Sequence, residues 1–522
     1  MKLRIDRKKF FAYLIVSAIV AVLFYLYASN YRIDHTPQGF SGTIYIKADG
    51  SVGPATWMIH RDGDLYTLTY NIHGSIVIER DDIVVDGAGY TLQGAGAKDS
   101  MGIILSGRKN VTLRNMEIRG FSYGIYSEDS FGNKISGNII AESMRYGVWL
   151  NESSRNVVSG NRVLNNGYGV YFEYSLNNNV SGNCISDNNY GVYLYRSSNN
   201  TLSKNNVTTN DSYGIWFHES SNFNSISENS IKNNGYGIYF LRFVNFNSIF
   251  GNNITANNSP GIWLHHSSNN IVAGNSVTNN RYGIIFSIGY LGGGSDNLIY
   301  HNNFVGNADQ IYFRNITGIH LPPPPPTITW DDGFEGNYWS DYIGADKNRD
   351  GIGDSPHQIT LSSESIQYDH YPLMGWFSSF NTSLGYHVDF ISNSTIQDFA
   401  FFESKITIKI RVSNMTANQT YGFCRIRVPH ALMNETYHIT IEGAEPYYVN
   451  YTLYDDGYNR WIYFSYHHST LTAIICDFNT NGKLSRSELV QRLGFKKEGV
   501  FRQRSYFNGQ FRDDICFSLI RE

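Results

Sequence analysis

Between Tyr123 and Phe286 one short pattern is written eight times with small changes: Tyr-Gly-[Ile/Val]-[Tyr/Trp]-[Leu/Phe], a polar gap, then Asn-x-[Ile/Val/Leu]-x-x-Asn-x-[Ile/Val]. Its glycine falls at Gly124, Gly147, Gly169, Gly191, Gly214, Gly237, Gly261 and Gly283, a period of 22 to 24 residues. A period in that range marks stacked coils. Each apolar run is short, alternating, and β-branched or aromatic, which suits a strand of four or five residues and cannot fill a helix. The Leu-x-x-Leu-x-Leu signature of leucine-rich repeats is missing. A parallel β-helix remains, in which each turn lies about 4.8 Å from the one before.

Period-two alternation assigns the columns to faces. Ile125, Val148, Val170, Val192, Ile215, Ile238, Ile262 and Ile284 share the core face with Leu150, Phe172, Leu194, Phe217, Phe240, Leu264 and Phe286. Two columns of asparagine, Asn133 to Asn297 and Asn138 to Asn302, are read as structural. Asn tolerates the left-handed corner, and stacked amides hydrogen-bond along a ladder. The outward column is Tyr126, Trp149, Tyr171, Tyr193, Trp216, Tyr239 and Trp263. Beside it run Glu128, Asn151, Glu173, Tyr195, His218, Leu241 and His265. Rings next to hydrogen-bonding side chains form a surface for sugars; the structural reading of the same column is rung-to-rung stacking that stabilises the helix.

The rest of the chain caps, anchors or extends this body. Residues 10–28 are nineteen uncharged, largely apolar residues preceded by Lys2, Arg4, Arg7, Lys8 and Lys9. This spans a bilayer with its N-terminus in the cytoplasm and favours an uncleaved anchor over a signal peptide. A net charge of −4 gives no electrostatic footprint for nucleic acid. Four cysteines, Cys184, Cys424, Cys476 and Cys516, match no zinc spacing and allow at most one bridge among the three C-terminal ones. Ser75 to Leu92 reads as the first, irregular turn, and Pro322 to Pro326 as an exposed polyproline loop. The boundaries expected are 1–30 for the basic tip and transmembrane anchor, 31–374 for the β-helix with its caps, 375–476 for a β-sandwich-like domain, and 477–522 for a calcium loop and tail.

The loop from Asp477 meets every position of the EF-hand pattern. Asp477, Asn479, Asn481, the Lys483 carbonyl, Ser485 and Glu488 are the oxygen ligands, and Gly482 sits at the turn. The entering segment Leu471 to Ile475 reads as strand, so the loop is EF-hand-like or dockerin-like. Asp346, Asn348, Asp350, the Ile352 carbonyl and Asp354 repeat the first part of that logic. Position twelve there is His357, so the last ligand would come from Asp341 or Asp332. Calcium is the cofactor expected at both. Copper is not expected: His218 and His265 stand two rungs apart, too far to share a metal, and alternation sends His265 and His266 to opposite faces. For catalysis the best pair is Glu128 and Glu173, two rungs or roughly 9.6 Å apart, at the limit of the spacing glycosidases use.

The repeats, followed by Gly336-Asn337-Tyr338-Trp339-Ser340-Asp341-Tyr342, the Asp-rich loop and Asp369-His370-Tyr371-Pro372-Leu373-Met374, resemble the NosD-like right-handed parallel β-helix family over about residues 42 to 374. That family is widespread among archaeal surface proteins and takes its name from a periplasmic protein that helps mature a copper enzyme. More broadly it resembles the helices of carbohydrate-binding proteins and sugar hydrolases. The resemblance implies the all-β solenoid fold; it does not carry the name's function across. The function expected is a membrane-anchored extracellular β-helix that binds or presents carbohydrate at a cell surface, without chemistry of its own and stiffened by calcium. The alternatives are a polysaccharide lyase or glycoside hydrolase in the same groove, and a purely structural surface protein or adhesin contacting other cell-surface proteins.

Overall fold

In the computed structural model of the chain, the residues described are 41–54, 56–288, 294–315, 327–362, 365–433, 437–468, 471–478, 495–507 and 510–519. The stretch 10–28, the proline run and positions 479–488 of the EF-hand-like loop lie outside them. Among the described residues no helix is long and apolar enough to cross a membrane.

The repeats form a parallel β-helix. One turn consists of a six-residue strand and two three-residue strands, as in Tyr146–Asn151, Val157–Ser159 and Arg162–Leu164. Each pairs in parallel with its counterpart one period on, for example Val148 with Val170 and Val158 with Val180. The six-residue strands and the second short strand of each turn join in one long sheet, and the first short strands form another. The coil begins earlier than Ser75: Ser41–Ile46 already lies parallel to Ile72–Ile78. The predicted core columns are buried throughout, from Ile125 to Phe286.

Three asparagine ladders run along the corners, one more than the sequence suggested. In each, the side-chain oxygen accepts the backbone N–H one turn back, and the amide N–H₂ donates to the next Oδ1 or to a carbonyl of the turn before. Asn183 shows the pattern: its Oδ1 accepts from Asn161 N at 2.9 Å, and its Nδ2 donates to Asn205 Oδ1 at 2.9 Å and to Val158 O at 2.8 Å. The third ladder runs from Asn166 through Asn188, Asn210, Asn234, Asn257 and Asn280 to Asn307. These ladders satisfy the buried backbone at the corners. The left-handed conformation falls one residue earlier, at Gly132, Asn177, Asn199, Phe223 or Gly160, so the ladder asparagines are present for their amides and not for their φ.

The glycine column is demanded by close approach. A Cβ on Gly191 would stand 2.4 Å from Gly214 O, and one on Gly214 2.8 Å from Gly237 O.

Trp330 and Trp339 close the C-terminal end of the core, with Trp339 stacked on Phe304 at 4.6 Å. Asn337 extends the second ladder, accepting from Asn302 N at 3.0 Å, and Asp369 ends it by accepting from Asn337 N and Trp339 Nε1, both at 2.8 Å.

Beyond the cap stand two antiparallel sheets. One is ordered Trp376–Asn381, His387–Ser392, Tyr421–Pro429, Asn459–His467, Tyr448–Asp455, and the other Ser394–Phe402, Thr407–Asn414, Leu471–Asp477, His438–Ile441. Phe390, Ile426 and Phe464 of the first share one apolar core with Ile408, Ile410 and Ile474 of the second. Cys424 and Cys476 are buried there as free thiols. The sheets are fixed to the helix cap through Glu335, which is buried and accepts from Arg425 Nε at 2.7 Å and Trp461 Nε1 at 2.9 Å, with His301 Nε2 at 2.8 Å from its other oxygen. Burial acts to raise the Glu335 pKa, but Arg425 and His301 outweigh it and hold the carboxyl well below the ordinary range.

Candidate aromatic face

The long strands place Tyr126, Trp149, Tyr171, Tyr193, Trp216, Tyr239 and Trp263 in one file, each in register with the next. From Trp149 on their rings stack along the axis: Tyr171 and Tyr193 lie 5.0 Å apart with planes 8° apart, and Tyr193 and Trp216 are 4.4 Å apart, while Tyr126 is tilted by 56° to Trp149. A second file stands beside the first, made of Tyr123, Tyr146, Tyr168, Tyr190, Tyr213 and Tyr236. Its rings also stack, Tyr168 on Tyr190 at 4.4 Å and 10°. They lean against the first file, as Tyr146 does on Tyr171 at 4.9 Å.

The double wall corrects the expectation of rings facing water. Tyr171, Tyr239 and Trp263 are buried, and the others of the first file are half-buried. Ring faces are occupied by rings on neighbouring rungs, so the wall offers edges, hydroxyls and ring C–H, while the indole N–H groups of Trp149, Trp216 and Trp263 are buried. Burial pushes the first-file Tyr126, Tyr171, Tyr193 and Tyr239 far above the usual phenol range, and Tyr168 and Tyr213 up to about 12. These hydroxyls stay protonated at neutral pH.

The third column supplies polar partners one rung on. Tyr193 Oη meets His218 Nδ1 at 2.8 Å, Tyr239 Oη meets His265 Nδ1 at 2.9 Å, and Trp263 Nε1 donates to Ser287 Oγ at 2.8 Å. The equivalent position for Trp216 is Leu241, and Trp216 Nε1 is buried with no acceptor. Asn151 Nδ2 donates to Glu128 Oε1 at 3.3 Å and is in register with Glu173, so the predicted Glu–Asn–Glu column is in place. Burial raises the Glu173 pKa against the opposing effect of Tyr171 and the nearby Trp149 indole. Arg196 and Arg242 flank the wall and both pair with Glu219, at 2.7 and 3.5 Å. Arg314 lies over Trp263 at 5.5 Å.

At the predicted calcium loop, Asp346 accepts from the backbone N–H of Asp350 and Gly351, both at 3.0 Å, and Asp350 accepts from Ile352 N at 2.8 Å. Asp354 accepts from Lys347 N at 2.9 Å, and Asn348 donates to Asp350 at 3.1 Å. Burial and the neighbouring Asp350 carboxylate raise the Asp346 pKa. Asp332, offered as a completing ligand, accepts from Phe334 N and Glu335 N. Of the EF-hand-like loop only Asp477 and Phe478 are described: Asp477 ends the strand that enters it and accepts from Thr407 Oγ1 at 3.5 Å, and Phe478 is buried in the core of the two sheets.

Comparison with known proteins places the helix. The sequence profile of the family described as "Periplasmic copper-binding protein (NosD)" matches residues 75–252 and 240–344, over half of the chain. A protein of Stutzerimonas stutzeri described as "Probable ABC transporter binding protein NosD" is 35% identical over 85 residues, 16% of this chain and 17% of that one. Its Pseudomonas aeruginosa counterpart is 33% identical over 89 residues, 17% of this chain and 18% of that one. The chain thus spans under a fifth of the length of these relatives. Among solved structures, the Azotobacter vinelandii mannuronan C-5 epimerase AlgE6 A-module aligns with a TM-score of 0.44 at 16% identity, covering 57% of this chain and 91% of that one. The periplasmic alginate epimerase AlgG aligns with a TM-score of 0.38 at 19% identity, covering 54% and 76%.

The copper in the family's description finds no fitting donor set here. Among the described residues no group of three His, Cys, Asp or Glu side chains is placed to hold a metal ion. His265 and His266 do not face opposite ways as alternation predicts: a φ of 51° at His266 turns its ring edge-on to that of His265, with centroids 4.6 Å apart. His265 Nδ1 is already engaged by Tyr239, and the pair has no third ligand. The stacked turns, the asparagine ladders and the tryptophan-closed cap, matched by the family profile across most of the helix, make this chain a member of the NosD family.

Proposed function

We propose that the double aromatic wall is a binding face for an extended polysaccharide, on a protein held at the membrane by residues 10–28 with its body outside the cell. The observation that carries this reading is the uninterrupted file from Tyr126 to Trp263, one ring per rung, beside a column of hydrogen-bonding side chains. A linear glycan also repeats along one direction, and its hydroxyls and C–H groups complement ring edges set with phenol hydroxyls and the polar column beside them. A merely structural wall would bind nothing. A glycan array probed with the wild type, Trp149→Ala and Trp216→Ala tests the reading. Signals lost in both variants support it, and signals unchanged in folded variants remove the face from the account.

Calcium at Asp346, Asn348, Asp350, Ile352 and Asp354, and at the loop from Asp477 to Glu488, belongs to the same proposal. Its support at the first loop is the spacing of Asp346, Asn348, Asp350 and Asp354 about the turn at Gly351, where Asn348 donates to Asp350 at 3.1 Å. Calcium titration calorimetry should give heat that Asp346→Ala and Glu488→Ala each reduce.

A second reading, hydrolysis or elimination in the same face, is favoured by Glu173, whose raised pKa suits a proton donor. New reducing ends or unsaturated products on incubation with polysaccharide, lost in Glu173→Gln, would establish it.

A further inference from the structure

The aromatic face reaches its last rung at the strand that carries Tyr312, in register with Ile285. At its foot the strand Asp309–Asn315, the cap segment around Ser340 and the strand His357–Ser362 border a half-open cavity of about 380 Å³. Asp309 is in register with Tyr282, so it takes on the last rung the position that the second tyrosine file holds above. The lining is polar and partly fixed: Gln310 Nε2 donates to Ser340 Oγ at 3.0 Å, and the His357 ring stacks on Trp339 at 4.9 Å. Burial holds the His357 imidazole below its ordinary pKa, with Asp341 acting the other way, so it offers one donor and one acceptor at neutral pH. None of the described lining residues is Lys or Arg.

We propose that this cavity receives one end of the polysaccharide laid along the face, as a single terminal sugar that carries no negative charge. The size fits: small-molecule sites begin at about 300 Å³. The chemistry fits as well, because the Asp309 and Asp341 carboxylates accept hydroxyl donors while Gln310, His357 and Thr360 complete a mixed donor and acceptor set. A uronic acid would bring a third carboxylate to two others with no cation in the wall, which disfavours it. The inference rests on the face being a polysaccharide site, and it adds that recognition depends on a free chain end.

The test is calorimetry with neutral hexasaccharides of glucose, mannose and N-acetylglucosamine, each with free ends and with both ends capped by a bulky aryl group, and with a hexuronic acid hexamer. The wild type should bind at least one free-ended neutral hexamer ten-fold or more tighter than its capped form and than the hexuronate. Asp309→Asn and Asp341→Asn, each checked for an unchanged melting temperature, should erase the difference between free and capped ends while leaving the capped form's affinity as it was. Equal binding of free and capped forms by the wild type, or a preference that survives both variants, overturns the end-pocket and leaves the face intact. Binding of no hexamer overturns both.

Discussion

Tyr193 and Trp216 lie face to face on adjacent rungs, ring centroids 4.4 Å apart and planes 28° apart, and Tyr239 continues the stack below Trp216 at 6.2 Å. Both faces of the Trp216 ring are therefore used inside the protein. Whatever the wall recognises is met by ring edges and by the polar column beside them.

Trp216 also carries a local defect. Its buried indole N–H lacks an acceptor because Leu241 stands where Ser287 serves Trp263. An unsatisfied buried donor costs about 1–3 kcal/mol. Leu241→Gln, which keeps bulk and adds an acceptor, should raise stability by about 1 kcal/mol, read as a higher midpoint in urea; a drop would mean that Leu241 packing outweighs the orphan donor.

The ladder amides and the corner residues make separable contributions. Asn183→Ala leaves Asn161 N–H unpaired in the interior and takes the amide donor from Val158 C=O, and should cost about 2–4 kcal/mol. Asn177→Ala, at an exposed left-handed corner with φ 58°, should cost about 1 kcal/mol. Melting temperatures of the two variants should differ accordingly, and equal losses would contradict the division of roles.

Asp369 gives the cap a pH dependence. Burial pushes its pKa up to about 6 against the pull of the Trp339, Asn337 and Tyr371 donors. A raised carboxyl pKa favours the protonated folded state, so its contribution is full below the unfolded value near 4 and is lost as pH rises through 6. The difference amounts to about 3 kcal/mol at about 1.4 kcal/mol per unit. Asp369→Asn should flatten the stability profile between pH 4 and 7, and an unchanged slope would show that another group sets it.

Glu335 holds the C-terminal sheets to the helix. Glu335→Gln leaves the Arg425 charge buried and uncompensated, a loss of about 3–5 kcal/mol. Hydrogen exchange should then quicken at the junction around Arg425 and Trp461 while the asparagine-laddered turns stay protected. Uniform quickening would place the linkage elsewhere.

Much of this was legible in the residues. The core columns and the first aromatic file followed from alternation at Ile125, Tyr126, Val148 and Trp149, because pleat and period agree there. The second file was missed although its tyrosines are part of the repeated phrase. Strict alternation puts Tyr123 on the core face with Ile125, but the close backbone approach at Gly124 breaks the pleat and brings Tyr123 onto the face of Tyr126. The third ladder hid in doublets such as Asn165–Asn166, where one residue takes the left-handed corner and the other the interior, and composition does not say which. His266 misled for the same reason: a positive φ reverses the direction that alternation assigns. The charge network at Glu335 joins positions some ninety residues apart, and no local pattern signals it.

The account turns on the wall acting as one continuous surface, and the most direct measurement is affinity against oligosaccharide length for the wild type and for Tyr190→Phe with Tyr213→Phe. Affinity should climb with each added sugar until the chain spans the seven rungs from Tyr126 to Trp263. Removing the two hydroxyls should weaken the longest chains at least ten-fold with little change in melting temperature. Affinity that is flat with length, or untouched by the loss of both hydroxyls, would contradict the binding face.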